Sequence, residues 1–501
     1  MSITGPGSIT ALNLAAQTGM FNQLNTLAQE LATGQASQTY SGLGSQAGLV
    51  LALNAQLSQI SGYSATASSV GTNLSVAQSV LTQIGNAGEA VTQAISQQGQ
   101  FAVDNTGQTT TQEAAANYLD GIFGLLNTQV GDNYLFSGTA TTTPSVAPTD
   151  AILNGSGAQA GLSQVISERQ QADLGTGGLG RLSISSVTGS SFSISQDTSP
   201  FGFKLTGATT TIAGATVTGP SGSPPGISVT LGANPNSGDT IEFGLTLPDG
   251  STQTISLQAT TDSPPGAGQF TIGTSVGQTA SNLQAALSSA VTTLAQTALP
   301  AASAMAASND FFNSDPPQRV DGPPFDTATS LVDGTPANTV FWYTGENGSL
   351  PALQTATAQV GPSTTIAYGM RANEPAFSSL VAAIGAFAAT TYSASDPNAQ
   401  ASYQALSTDV QVALAGQPGA QTVNDLAADL ANAQTTLTNA GTENTQTGQT
   451  LQNMVQNIDG VDQNQIGEQI LTLQNSLSAS MSVTARLAQL SLVNFLGPVS
   501  G

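Results

Sequence analysis

The chain has no cysteine and no histidine among 501 residues, and only 7% of it is charged. Without cysteine there are no disulfide staples, and without either residue there are no zinc sites built on thiolate or imidazole. Cysteine nucleophiles, histidine general bases and the Ser-His-Asp triad are excluded as well. Such an absence suits a protein exported unfolded, in which stray thiols would cross-link. Positive charge is nearly missing too. The six cations (Arg169, Arg181, Lys204, Arg319, Arg371 and Arg486) all lie beyond residue 168, so the first third has none. Twenty-nine acids bring the net charge to −23. That argues against nucleic acid and against an anionic membrane surface, since Lys and Arg hold both. No apolar run reaches the length of a transmembrane helix, about 18 residues, so membrane insertion is not expected. Residues 1–20 lack a basic stretch followed by a continuous apolar one, so no cleaved secretory signal is expected.

What the chain does have is periodicity. From Leu49 through Leu53, Ile60, Tyr63, Leu74 and Leu81 to Ile95, steps of four and three alternate, and only Gln56 and Gly88 fail to be apolar or aromatic. A distant stretch keeps the same rhythm from Val423 through Leu426, Leu430, Leu437, Leu451 and Met454 to Ile458 and Val461. A period averaging about 3.5 is the seam of a coiled coil. Neither helix can bury its stripe alone. The economical inference is that the two pair, closing a long loop that must hold a domain of its own.

In chain order, a first helix begins near Ser8 and carries Met20, Leu24, Leu27 and Leu31 on one face, with Gly34 as its stop. The long helix occupies roughly 46–99 and a third helix about 111–130; Tyr134-Leu135-Phe136 then reads as a short strand. From about 140, Gly and Pro become dense and alternation sets in, as in Ile227/Val229/Leu231 and Ile241/Phe243/Leu245/Leu247. Pro248-Asp249-Gly250 turns the second of these into a hairpin with Ile255/Leu257. A helix at about 276–299 can cover the sheet. Strand-like runs surround Val340–Tyr343 and Thr364–Tyr368, and helix returns by about Glu374. At Gly460 the phase slips, and a new stripe runs Ile466, Ile470, Leu473, Leu477 and Met481. The ending, with Leu492, Phe495 and Leu496, is too apolar for a free tail. The expected fold class is α+β: long antiparallel coiled-coil helices from both termini with an inserted β-rich domain.

This order of elements resembles bacterial flagellin and its axial relatives. Leu31-Ala32-Thr33-Gly34 is similar to the family's turn out of the first terminal helix. Asn133-Tyr134-Leu135-Phe136-Ser137-Gly138-Thr139 and Leu490-Ser491-Leu492-Val493-Asn494-Phe495-Leu496 resemble the hook–filament junction branch, the hook-associated proteins. Gly238-Asp239-Thr240-Ile241 and Phe341-Trp342-Tyr343-Thr344-Gly345 resemble a variable outer domain of α-proteobacterial members. The run Gln35–Ser45 departs from the junction pattern, having no charge and no Ser-Asp-Asp-Pro, so any contact of that run is not carried over.

The resemblance implies an inner helix 1–40 paired with 465–501 and a heptad layer of 41–140 with 375–464. It makes 141–374 an outer insert. An assembly interface would then include Met20, Leu24, Leu27, Leu31, Ile466, Ile470, Leu473, Leu477, Met481, Leu492, Phe495 and Leu496. The partners implied are other axial proteins (hook-associated proteins and flagellin), copies of the chain in a ring or helical tube, and an export chaperone. The location implied is the extracellular flagellum, reached by type III export. A filament flagellin and, from another class, a secreted adhesin whose insert binds a glycan stay open as alternatives.

Other motifs are weaker. Gly175–Gly180 lacks the Lys-Ser/Thr of a phosphate loop and reads as a linker. Asp459–Asn464 has oxygen ligands at odd spacing but no closing Glu, so a helix joint is the better reading. Asn154-Gly155-Ser156 and Asn347-Gly348-Ser349 match a glycosylation pattern short enough to arise by chance. Trp342 reads as sheet core. No catalytic constellation, metal site or cofactor is expected.

Overall fold

The structure, a computed structural model, describes residues 6–97 and 99–495, with the side chains of 11–97 and 99–489. The chain opens with α1 (Pro6–Thr33), α2 (Ala47–Ser96) and α3 (Thr110–Leu126), then β1 (Gln129–Val130) and β2 (Asn133–Tyr134). Two helices follow, α4 (Thr149–Asn154) and α5 (Leu162–Leu174). The strands β3 (Leu182–Ile184), β4 (Ser191–Gln196), β5 (Lys204–Thr210), β6 (Ala215–Ser221) and β7 (Gly226–Leu231) come next. After β8 (Thr240–Thr246), β9 (Thr252–Thr260) and β10 (Gln269–Thr271) stand α6 (Val276–Gln296) and α7 (Ala298–Asn313). The short strands β11 (Gln318–Val320), β12 (Leu331–Asp333), β13 (Thr357–Gln359) and β14 (Thr365–Ala367) lead to α8 (Pro375–Ala389) and α9 (Ala399–Leu414). The chain closes with α10 (Val423–Asp459) and α11 (Gln463–Phe495). The fold class is α+β, as expected.

Two compact units share the chain. One holds the residues up to Val70, Ala358–Ile366 and those from Thr435 on; the other holds Gly71–Thr357 and Ala367–Gln434. The divisions fall inside α2 and α10 rather than at the expected insert boundaries near 141 and 374.

In the first unit α1 packs along α11. Gln17 meets Ser480 and Thr484 while Gln35 pairs with Gly460, so the two helices run antiparallel. Gly34 ends α1 with φ +70°, a left-handed conformation that costs glycine little. On the part of α10 in this unit, Gly448 comes close to α2: a β-carbon there would stand 3.7 Å from Ile60 Cγ2. Asn444, inside the apolar stripe, is buried because its Nδ2 donates to Val360 O at 2.8 Å.

The second unit joins a helical cluster to two four-stranded sheets of order β10-β9-β8-β5 and β3-β4-β7-β6. Alternation places Ile227, Val229, Phe243 and Leu257 inside, where Leu283, Leu287 and Val291 of α6 cover them. The expected hairpin is β8–β9, with Phe243 opposite Ile255. Around α8, which is buried on nearly every side, pack α3, α5, α7 and α9. A helix apolar all round belongs in a core. Gly88, one of the two breaks in the first heptad stretch, lies where α2 meets α8; a β-carbon there would stand 3.0 Å from Leu380 Cδ1.

Several expectations need correction. The helix expected to run to 299 stops at Gln296, and α7 follows after Thr297, with Pro300 in its first turn where no amide donor is needed. The third helix ends at Leu126, and Val130 lies in β1. Val340–Tyr343 is no strand. It touches Val146 through one bridge at Tyr343, and Trp342 lies in the helical core with Phe123 and Phe312 rather than in a sheet. Gly175–Gly180 is a turn rather than a loose linker: Gly180 packs directly on the Phe203 ring, leaving no room for a side chain.

Candidate functional site

The candidate interface is the α1–α11 pair. Leu27, Ile466 and Leu477 are buried in it, and Met20, Leu24, Ile470 and Leu473 are half-buried. Leu31 and Met481, expected on the same seam, are exposed. At Met481 the reason is polar: Ser480 and Thr484 occupy the seam instead, and Gln17 Nε2 donates to them at 3.4 and 2.8 Å. At Leu31 the neighbouring Glu30 takes the half-buried position. The side chains of Leu492 and Phe495, and all of Leu496, lie outside the described residues.

At one end the pair is tied backbone to backbone. Ala36 N donates to Asp459 O at 2.6 Å, and Val461 N donates to Gly34 O at 3.2 Å. Asp462 then caps α11 by accepting from Asn464 N at 2.9 Å, so the segment that resembled a cation loop is a helix joint. Away from the seam, Leu12 is 77% exposed, Leu14 65%, Leu471 62% and Val483 52%. Charge is nearly absent here, with Glu30 in α1 and Glu468 and Arg486 in α11. These exposed apolar side chains flank the seam on both helices.

The heptad stripes are buried over most of their length. Leu53, Leu74 and Leu81 of α2 are buried and Ile60 is half-buried; Leu426, Leu430, Leu437 and Leu451 of α10 are buried and Ile458 is half-buried. The register drifts at the far ends. Leu49, Gln56, Thr447 and Met454 point to solvent, and Val50, Leu57, Gly448 and Val455 take their places one residue later.

Sequence reasoning missed the buried charges. Arg169 on α5 bonds Asp173 Oδ2 and Asp310 Oδ2, each at 2.8 Å, and Asp173 Oδ1 also accepts from Gly202 N at 2.8 Å. Glu168 pairs with Arg319. Burial raises the pKa of Asp173 and of Asp310, while Arg169 opposes the rise. With its oxygens taken by α5 and the loop before β5, Asp173 fastens these elements together. Among the described residues no group of acidic side chains could hold a metal ion, and no helix is long and apolar enough to cross a membrane.

No protein-family model matches the chain, and no curated protein matches it.

Proposed function

We propose that this chain is a structural subunit of the bacterial flagellum, located at the junction between hook and filament. The observation that carries the reading is the antiparallel pairing of the chain's two end helices, α1 and α11, with apolar residues such as Leu12 and Leu471 left exposed beside the seam. A pair of helices that buries one stripe and exposes another has surface for neighbouring copies. In this reading α1 and α11 line the inside of a tube. The stripes of α2 and α10 form coiled-coil seams around them, and the β-rich residues 141–374 face outward. The chain leaves the cell through the type III channel and meets hook-associated proteins and flagellin as its axial neighbours. Its work is mechanical, with no catalytic step.

The resemblance of Asn133–Thr139 and Leu490–Leu496 to junction proteins favours the junction over the filament. Immunogold labelling of intact flagella tests this directly. A single band at the distal end of the hook is the expected result. Label along the whole filament would make the chain a flagellin, and label on the cell body with flagella bare would make it a secreted adhesin. Deleting the gene should leave hooks in place while unpolymerised flagellin escapes into the medium.

A further inference from the structure

A cleft of about 400 Å³ opens in the second unit between the end of α7 and the start of α8, near the small end of the roughly 300–1,000 Å³ usual for ligand sites. Its base is aromatic and rigid. Phe312 and Trp342 pack edge to face at 5.2 Å, and the Trp342 indole donates to Phe312 O at 3.0 Å. Phe341 also lines the cleft and is half-buried, leaving part of its side chain exposed. The rim is made of amides. Asn373 Nδ2 donates to Asn347 Oδ1 at 2.8 Å, and Asn347 Nδ2 donates to Asp315 Oδ2 at 2.7 Å. On α7, which also lines the cleft, Asn313 donates to Asn309.

These groups are held in place before any ligand arrives. Arg371 grips the Glu346 carboxylate at 2.6 Å and the Leu350 carbonyl at 2.9 Å, and Tyr343 Oη donates to Glu346 O at 3.0 Å, so the residue before Asn347 is fixed from two sides. The same Arg371 is two residues from Asn373, and its backbone N–H donates to Glu374. Pre-organised groups lose little freedom on binding. Within the row, Asp315 Oδ1 and Asn373 Oδ1 accept no hydrogen bond among the described residues, and each amide keeps a second N–H.

Planar amides and a carboxylate set beside an aromatic ring match one ligand chemistry. Adjacent hydroxyls of a pyranose pair with amide donor and acceptor together, while its C–H face lies on the ring. Asp315 is the one charged residue lining the cleft, so an anionic ligand would meet a like charge and no cation. We infer that this cleft binds the end of a neutral glycan. The inference goes beyond the structural role proposed above and does not depend on it.

Saturation-transfer NMR of the full chain against methyl glycosides of galactose, glucose, mannose and N-acetylglucosamine tests it, with a methyl glucuronide and a neutral tetrapeptide alongside. At least one neutral glycoside should receive magnetisation, with its C–H face closest. Asn347→Ala and Asn373→Ala should each weaken it roughly tenfold or more, and Phe341→Ala should abolish transfer. Asn154→Ala, the same exchange outside the cleft, should bind as the parent does. Asn347 is exposed, so N347A is expected to melt with the parent even where F341A does not. The inference is overturned if no neutral glycoside binds, if binding survives both N347A and N373A, or if the glucuronide or the peptide binds in preference.

Discussion

Gln17 Nε2 donates to Thr484 Oγ1 across 2.8 Å, joining side chains 467 residues apart in the chain. A half-buried hydrogen bond of this type contributes about 0.5–1.5 kcal/mol. Gln17→Ala and Thr484→Ala should each lower the urea midpoint of helix loss by that order. The double variant should lose less than the sum, with a coupling of about 0.5 kcal/mol or more. Strict additivity in the cycle would mean the contact adds nothing to the pairing.

Leu74 is almost wholly buried, and its neighbour Ser75 faces solvent. Leu74→Asp leaves an unpaired carboxylate inside the protein and should cost about 3–5 kcal/mol. Ser75→Asp should stay within about 0.5 kcal/mol of the parent. Thermal melts of the two variants decide the matter, since equal midpoints are incompatible with this packing.

Asp409 lines a cavity with Asp249. Burial, and then the Asp249 carboxylate, push its pKa up from 3.8 to about 7. Below pH 4 the folded and unfolded chains both hold this proton, and its contribution to stability is fully present. As pH rises from 4 through 7 the unfolded chain gives up the proton first, so stability falls. Asp409→Asn removes that penalty. The melting temperature of D409N minus that of the parent should therefore grow between pH 4.5 and pH 8. A difference that stays constant over this range would contradict the assignment.

Arg169 is the cation shared by the buried Asp173 and by Asp310. Arg169→Met keeps the volume but strands both carboxylates, and should cost about 3–5 kcal/mol by chemical unfolding. Converting Asp173 and Asp310 to Asn in the same chain should recover much of the loss. If the triple variant is no more stable than R169M alone, the damage comes from packing rather than from charge.

The long helices were legible because their information is local. Most of α2 follows one spacing, and glycines mark the ends of α1 and α10 at Gly34 and Gly460. The second unit was harder to read for the opposite reason. α7 is made of small residues buried on most sides, so no polar face gives it a period. α5 hides Glu168, Arg169 and Asp173 in the interior, where a pattern search expects apolar side chains. Their partners Asp310 and Arg319 are more than a hundred residues away, and no local spacing announces such pairs. The amide-lined cleft was equally invisible, since it draws on α7, the loop around Asn347 and the start of α8. Of the residues expected on the α1–α11 seam, Leu27, Ile466 and Leu477 are buried, while Leu31 and Met481 are exposed. Met481 was misplaced because Gln17 selects hydroxyl partners over a neighbouring thioether.

The backbone tie at Gly34 and Gly460 gives the α1–α11 pair a direction under load. Residues 6 and 495 leave the pair at one end, and the tie closes it at the other. A force drawing those two residues sideways apart opens the helices like a zip, one layer of side chains at a time, so the resistance at any moment is that of a single layer. Traction along the helix axes strains every layer together and meets their summed resistance. The same few contacts thus make a joint that is soft to peeling and stiff in shear.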